Sequence, residues 1–124
     1  TTTSALATTT IDGSCGVFTT QTGTLTSPNY PSNYPFNMIC IWTIHVTGGS
    51  VRIQFIDFDV QFKTGCMFDN VRVYDGDVQI ARLCGTMTDI NPGPYISTGS
   101  VARVRLFSDN NKSHKGYSLT WATI

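Results

Sequence analysis

From residue 40 onward, apolar and polar positions alternate with a period of two along most of the chain. Cys40, Trp42, Ile44 and Val46 share one face, with Thr43 and His45 on the other. Val51, Ile53 and Phe55 form the next inward set, and Arg52 and Gln54 point outward. After Phe55 the apolar members become Ile56, Phe58 and Val60, a one-residue slip that predicts a bulge within a strand. Val71 and Val73 oppose Arg72 and Tyr74 in a strand that ends at an Asp75-Gly76-Asp77 turn. Ile80 to Leu83 forms a short strand. In the next, Ala102, Val104 and Leu106 face in and Arg103 and Arg105 face out, and Tyr117, Leu119, Trp121 and Thr123 alternate to the end. Shorter candidates lie at Thr24-Leu25-Thr26 and Tyr95-Ile96. Gly48-Gly49 is a hairpin signal, and Thr86 to Ser100 reads as loop around the brief strand. Short strands with one wet face, separated by turns, predict an antiparallel two-sheet sandwich.

Composition supports an all-β fold. All eight acidic residues are Asp, a turn and cap residue, and Thr, Val, Ile, Phe and Tyr are abundant. The 124 residues suit one domain plus a tail, with a core thin enough to benefit from cross-links. A formal net charge of zero and the lack of a basic stripe argue against nucleic acid as a partner. No apolar run is long enough to span a bilayer. Residues 1–13 are rich in Thr, Ser and Ala and predict a disordered linker, of the kind that carries O-glycans between modules, before a domain at 14–124. No signal peptide is visible, so the chain reads as an excised piece of a longer secreted protein.

Four cysteines, Cys15, Cys40, Cys66 and Cys84, contain no Cys-x-x-Cys pair, which argues against zinc or dithiol redox chemistry. Their even number in a small β domain points to two disulfides and an oxidising compartment. Three pairings are open; sequential closure would contribute roughly 3 kcal/mol per bridge in the chain-entropy model. Ser27-Pro28-Asn29-Tyr30-Pro31-Ser32-Asn33-Tyr34-Pro35 fits neither helix nor central strand, and its tyrosines can cover the turns while keeping their hydroxyls free to bond.

Several of these features together resemble the CUB domain family. They are Cys15-Gly16, Ser27-Pro28-Asn29-Tyr30-Pro31 with Tyr34-Pro35, and Cys40 with Trp42 and Ile44. Further along come Cys66-x-x-Asp69 running to Tyr74-Asp75-Gly76, Cys84-Gly85, Leu106-Phe107-Ser108-Asp109, and Gly116-Tyr117. The resemblance covers everything from Cys15 to the C-terminus. It implies a jelly-roll-like β-sandwich with disulfides Cys15–Cys40 and Cys66–Cys84, in a secreted or cell-surface mosaic protein.

Many members of that family hold calcium at one end of the sandwich. By resemblance, Asp69 and Asp109 supply carboxylates and Tyr34 braces them. The position of a third carboxylate, a Glu in calcium-binding members, is Gln61 here. Gln61 offers a carbonyl oxygen but no charge, so weak binding is expected, with Kd roughly 10⁻⁴ to 10⁻³ M. Asp59, two residues upstream, is a further candidate, and Asn110 or backbone carbonyls are expected to complete the shell. Asn111-Lys112-Ser113 is a glycosylation sequon, and a glycan on Asn111 excludes that side chain as a ligand.

Catalysis is not expected. His45 and His114 lie in separate regions with no neighbouring nucleophile, and Asp75 and Asp77 flank a turn glycine. The resemblance therefore implies a non-catalytic recognition module whose ion-ordered acidic end holds a Lys or Arg of an extracellular protein. The rival is a glycan-binding module using Arg103 and Arg105, with Arg52 or Arg72 nearby. A structural spacer beside a protease domain is the third reading.

Overall fold

The computed structural model describes residues 14–124; the expected linker at 1–13 lies outside the described residues. Among the described residues ten strands form two five-stranded sheets. In chain order they are β1 (Ser14–Phe18), β2 (Thr22–Thr26), β3 (Ile39–His45), β4 (Val51–Val60) and β5 (Asn70–Asp75). The remainder are β6 (Val78–Leu83), β7 (Gly85–Thr86), β8 (Tyr95–Ile96), β9 (Val101–Phe107) and β10 (Gly116–Thr123). The first sheet runs β1-β3-β9-β5-β6; the second runs β2-β10-β4-β7, with β8 also pairing β4.

Period-two alternation produces this architecture directly. Each long strand turns one row of side chains into the space between the sheets. Trp42, Ile44, Val71, Val73, Val104 and Leu106 come from the first sheet, and Val51, Ile53, Phe55, Tyr117 and Leu119 from the second; all are buried. The Trp42 and Tyr117 rings meet edge to face across the layers at 5.9 Å. Burial of a side chain of this size contributes about 1.5–3 kcal/mol. The predicted bulge is present: β10 shifts register against β4 between Ser118 and Leu119, which face Asp57 and Phe55. It returns Phe58 and Val60 to the core but leaves Ile56 outside, 57% exposed, where the slipped pattern had placed it inward. The bridges are Cys15–Cys40 and Cys66–Cys84.

Two expectations are corrected. Gly48-Gly49 does not close a hairpin, because β3 and β4 belong to different sheets. Alternation gives each strand an inward face without saying which sheet completes it, and the turn carries the chain across the sandwich. The sheets are also not wholly antiparallel: β1 runs parallel to β3, with an irregularity between Ser14 and Gly16, at the half-cystine bonded to Cys40 on β3.

The proline-rich loop before β3 is latched to β4 by charge. The Tyr30 hydroxyl donates to Asp57 Oδ2 at 2.5 Å, and Lys115 Nζ lies 2.8 Å from the same oxygen. The Lys115 ammonium, with Tyr30, holds the Asp57 carboxyl below its ordinary range. A depressed carboxyl adds stability that is complete above the unfolded-state pKa of about 3.9 and is lost as pH falls through the folded value. Asp57→Asn is therefore expected to melt lower than the parent at pH 6, with the gap closing as pH drops below about 3.9. Melts across that range check it; a gap independent of pH would show that the carboxylate charge is not what latches the loop.

Candidate functional site

Three loops converge beside this latch: residues 27–38 between β2 and β3, 61–69 between β4 and β5, and 108–115 between β9 and β10. Backbone bonds tie them. Tyr34 N–H donates to His114 O (3.0 Å), and Asn37 N–H donates to Asp109 O (2.8 Å). Ser108 Oγ donates to Pro35 O at 2.7 Å. Asp69 lies at the centre, immediately before β5, and is fully buried. Its Oδ2 accepts the Tyr34 hydroxyl (2.5 Å), and its Oδ1 accepts the Asp109 backbone N–H (2.9 Å). The Tyr34 hydroxyl also accepts the Gln61 backbone N–H, at 3.2 Å. Tyr34, Gln61, Asp69 and Asp109 are thus one connected group.

The electrostatics of the group are those of an acidic site short of positive charge. Burial, with the neighbouring Asp109 carboxylate, raises the Asp69 carboxyl above its ordinary value. Burial and the bond to Asp69 raise the Tyr34 hydroxyl, so it stays protonated and donates. Gln61 is buried, and its side-chain Oε1 has no hydrogen-bond partner. A buried carbonyl oxygen left unpaired costs about 1–3 kcal/mol. Two carboxylates and a neutral oxygen in want of a partner are donors that suit a hard cation. Among the described residues no three His, Cys, Asp or Glu side chains gather into a metal-binding group.

The other candidates lie as follows. Asp59 is engaged elsewhere, its Oδ1 3.2 Å from His114 Nδ1. Asn110 is exposed. Asn111 is exposed too, and its backbone N–H donates to Asp109 Oδ1 at 3.0 Å. His45 is exposed at the end of β3. Arg103 and Arg105 are on the outer face of the first sheet, not at this end. The Asp57–Lys115 and Asp59–His114 pairs were not anticipated. Asp57 and Asp59 alternate on β4 and so share its outer side, but their partners sit on a loop whose path no pattern specifies.

The family model for the CUB domain matches residues 14–121. The chain belongs to the CUB domain family. Cubilin of Rattus norvegicus is 33% identical over 117 residues, which are 90% of this chain and 3% of cubilin. Among solved structures, the full extracellular region of zebrafish Gpr126/Adgrg6 has 37% identity and a TM-score of 0.80, over 90% of this chain and 15% of that one. The MASP-1 CUB2 domain bound to Ca2+ has 30% identity and a TM-score of 0.78, over 89% of this chain and 99% of that one. This CUB domain therefore spans a small part of multidomain relatives such as cubilin. CUB domains are in general non-catalytic modules of extracellular proteins, and the two bridges suit that oxidising environment. No helix among the described residues is long and apolar enough to cross a membrane.

Proposed function

We propose that this CUB domain is a non-catalytic recognition module that takes calcium at the Tyr34–Gln61–Asp69–Asp109 end and uses it to hold a Lys or Arg of an extracellular protein. The observation that carries the proposal is the buried, unpaired Oε1 of Gln61, a residue whose backbone N–H bonds the Tyr34 hydroxyl that braces Asp69. Asp69, Asp109 and Gln61 Oε1 hold the ion, Asp69 stays braced by Tyr34, and loop carbonyls or Asn110 complete the shell. Calcium supplies the positive charge that makes two adjacent carboxylates tolerable and locks the three loops together. With two carboxylates the ion is just balanced, and binding falls at the weak end for extracellular modules, roughly 10⁻⁴ to 10⁻³ M. A partner ammonium or guanidinium then finds carboxylate oxygens already oriented, which is the condition for a strong charge-assisted bond.

Large apolar side chains exposed next to the site residues support a protein partner. Phe62 follows Gln61 and is 63% exposed; Met67 and Phe68 precede Asp69 and are 70% and 39% exposed. Apolar contacts around a central charge are how protein interfaces exclude water from the pair they depend on.

Thermal melts across a calcium titration, against excess chelator, test the ion. A saturable upward shift is expected that disappears in Asp109→Ala, whose melting point in chelator stays close to the parent's. The same variant is expected to lose capture of an extracellular protein partner while remaining folded. No shift at any calcium concentration would overturn the calcium reading.

A further inference from the structure

A second surface, on the outer face of the first sheet, gathers positive charge that no carboxylate among the described residues pairs with. Three arginines stand in one row across three strands: Arg82 on β6 pairs with Arg72 on β5, which pairs with Arg105 on β9. Neighbouring strands are about 4.8 Å apart, so the row spans about 10 Å. Like charges directly opposite on adjacent strands destabilise a sheet. Among the described residues no carboxylate pairs with any of the three; the ion pairs present are Arg103–Asp77, His114–Asp59 and Lys115–Asp57.

The guanidinium groups are held by neutral partners. Arg72 Nε donates to Asn70 Oδ1 (3.2 Å) and its Nη1 to Gln79 Oε1 (3.4 Å). Arg82 Nη2 donates to Cys66 O at 3.0 Å. Among the described residues the Arg105 guanidinium has no hydrogen-bond partner, and it lies over the Phe107 ring, 5.6 Å from its centroid. Burial, then the charges of Arg72 and Arg82, push the Arg105 guanidinium below its ordinary value. A chain with no net charge has gathered three uncompensated cations and fixed two of them without neutralising either.

Beside Arg105 the same face opens into a cleft of about 300 Å³ lined by Ile41, Tyr74, Gly76, Asp77, Arg103 and Arg105. Arg103 is not free, because its Nη1 donates to Gly76 O and Asp77 Oδ1, both at 2.8 Å. Its Nε is buried and has no partner. The Tyr74 phenol and the Asp77 carboxylate beside the Arg105 guanidinium give this cleft the aromatic surface, acceptor and donor that suit a sugar. The ring faces its apolar side, Asp77 accepts a hydroxyl, and the adjacent guanidinium row takes an acidic substituent in forked bonds.

We propose that the Arg82–Arg72–Arg105 row and the adjoining Tyr74–Asp77 cleft bind an acidic saccharide, independently of the calcium end. Sulfate and uronate groups share the geometry the guanidinium fork recognises, so the test carries both. A heparin-derived octasaccharide and a hyaluronan octasaccharide are titrated into the domain at about 0.15 M salt. Saturable binding of at least one is expected, and its identity assigns the sulfate or the carboxylate. Arg105→Gln is expected to weaken binding about tenfold or more, as the loss of one forked charged contact does. Arg52→Gln, an exposed arginine on the other sheet, leaves it unchanged. Because the Arg105 guanidinium hydrogen-bonds to no group among the described residues and faces two like charges, its replacement is expected to leave the melting temperature of the unliganded domain level or slightly higher. Binding of neither saccharide, an equal loss in Arg52→Gln, or tighter binding of a poly-glutamate peptide would overturn the proposal.

Discussion

Gly116→Ala is expected to lower the stability of the fold by about 3 kcal/mol or more, measured by urea unfolding. Gly116 opens β10 with φ +89°, a conformation that side chains resist, and a Cβ there would fall 1.8 Å from Ser27 Oγ. Ser27 cannot step aside. It is 1% exposed, its Oγ accepts the Tyr117 N–H at 3.0 Å, and its own N–H donates to Tyr117 O at 3.0 Å. Moving Ser27 would break the joint that seats Tyr117 in the core, and the added methyl also touches the Tyr34 ring at 3.5 Å. Gly76→Ala is the control: φ is +58° and nothing lies within 4 Å of the added carbon, so the cost is the backbone term alone, about 1 kcal/mol. A Gly116→Ala variant no worse than Gly76→Ala would show that Ser27 yields and that the joint is soft.

That joint was invisible in the sequence, and the reason is general to this fold. Alternation at Cys40–Val46, Ala102–Leu106 and Tyr117–Trp121 is legible because burial repeats every second residue, and those faces are the buried ones. The same signal is silent about partners. It could not say that β4 leaves the sheet of β3, that β1 lies parallel to β3, or that Arg72 falls between Arg82 and Arg105. Those facts depend on which strands share a sheet. The acidic end was legible as a resemblance, through Tyr34, Asp69 and Asp109, and the structure connects those residues by hydrogen bonds. Its charge shortage was legible too, because Gln61 is a single letter. The Gln61 side chain's burial without a partner was not legible, since it depends on loops that close over it. Arg103, read as a free outward arginine, is tied down by an Asp77 that sequence placed only in a turn.

Asp69→Asn is expected to cost no more than about 1–3 kcal/mol of stability in chelator while removing the stabilisation that calcium brings. The substitution keeps the shape, and the amide oxygen still accepts the Asp109 N–H that Asp69 Oδ1 holds at 2.9 Å, while the Tyr34 O–H loses the Oδ2 acceptor, which sets the cost in chelator. What it removes is a charge that the fold resists in the absence of a cation. Burial has raised the Asp69 carboxyl, with the Asp109 charge adding to the effect. A raised carboxyl contributes stability that is present below the unfolded-state pKa of about 3.9 and lost as pH rises through the folded value. In chelator, the variant should therefore gain on the parent as pH rises from about 3.9 toward neutrality. Calcium is expected to reverse the order, because its charge would favour the ionised form that burial penalises. At a calcium concentration of about a hundred times Kd the parent should gain about 2.7 kcal/mol, and Asp69→Asn nothing. The parent's calcium affinity should weaken on acidification before ordinary exposed carboxylates titrate. Paired melts, with and without calcium, at several pH values separate the two duties of this carboxylate. If Asp69→Asn lost several kcal/mol equally in chelator and in calcium, Asp69 would be a buried brace for Tyr34 and the Asp109 backbone. If it kept the full calcium shift, the ion would be held by Asp109 and the loop carbonyls without it.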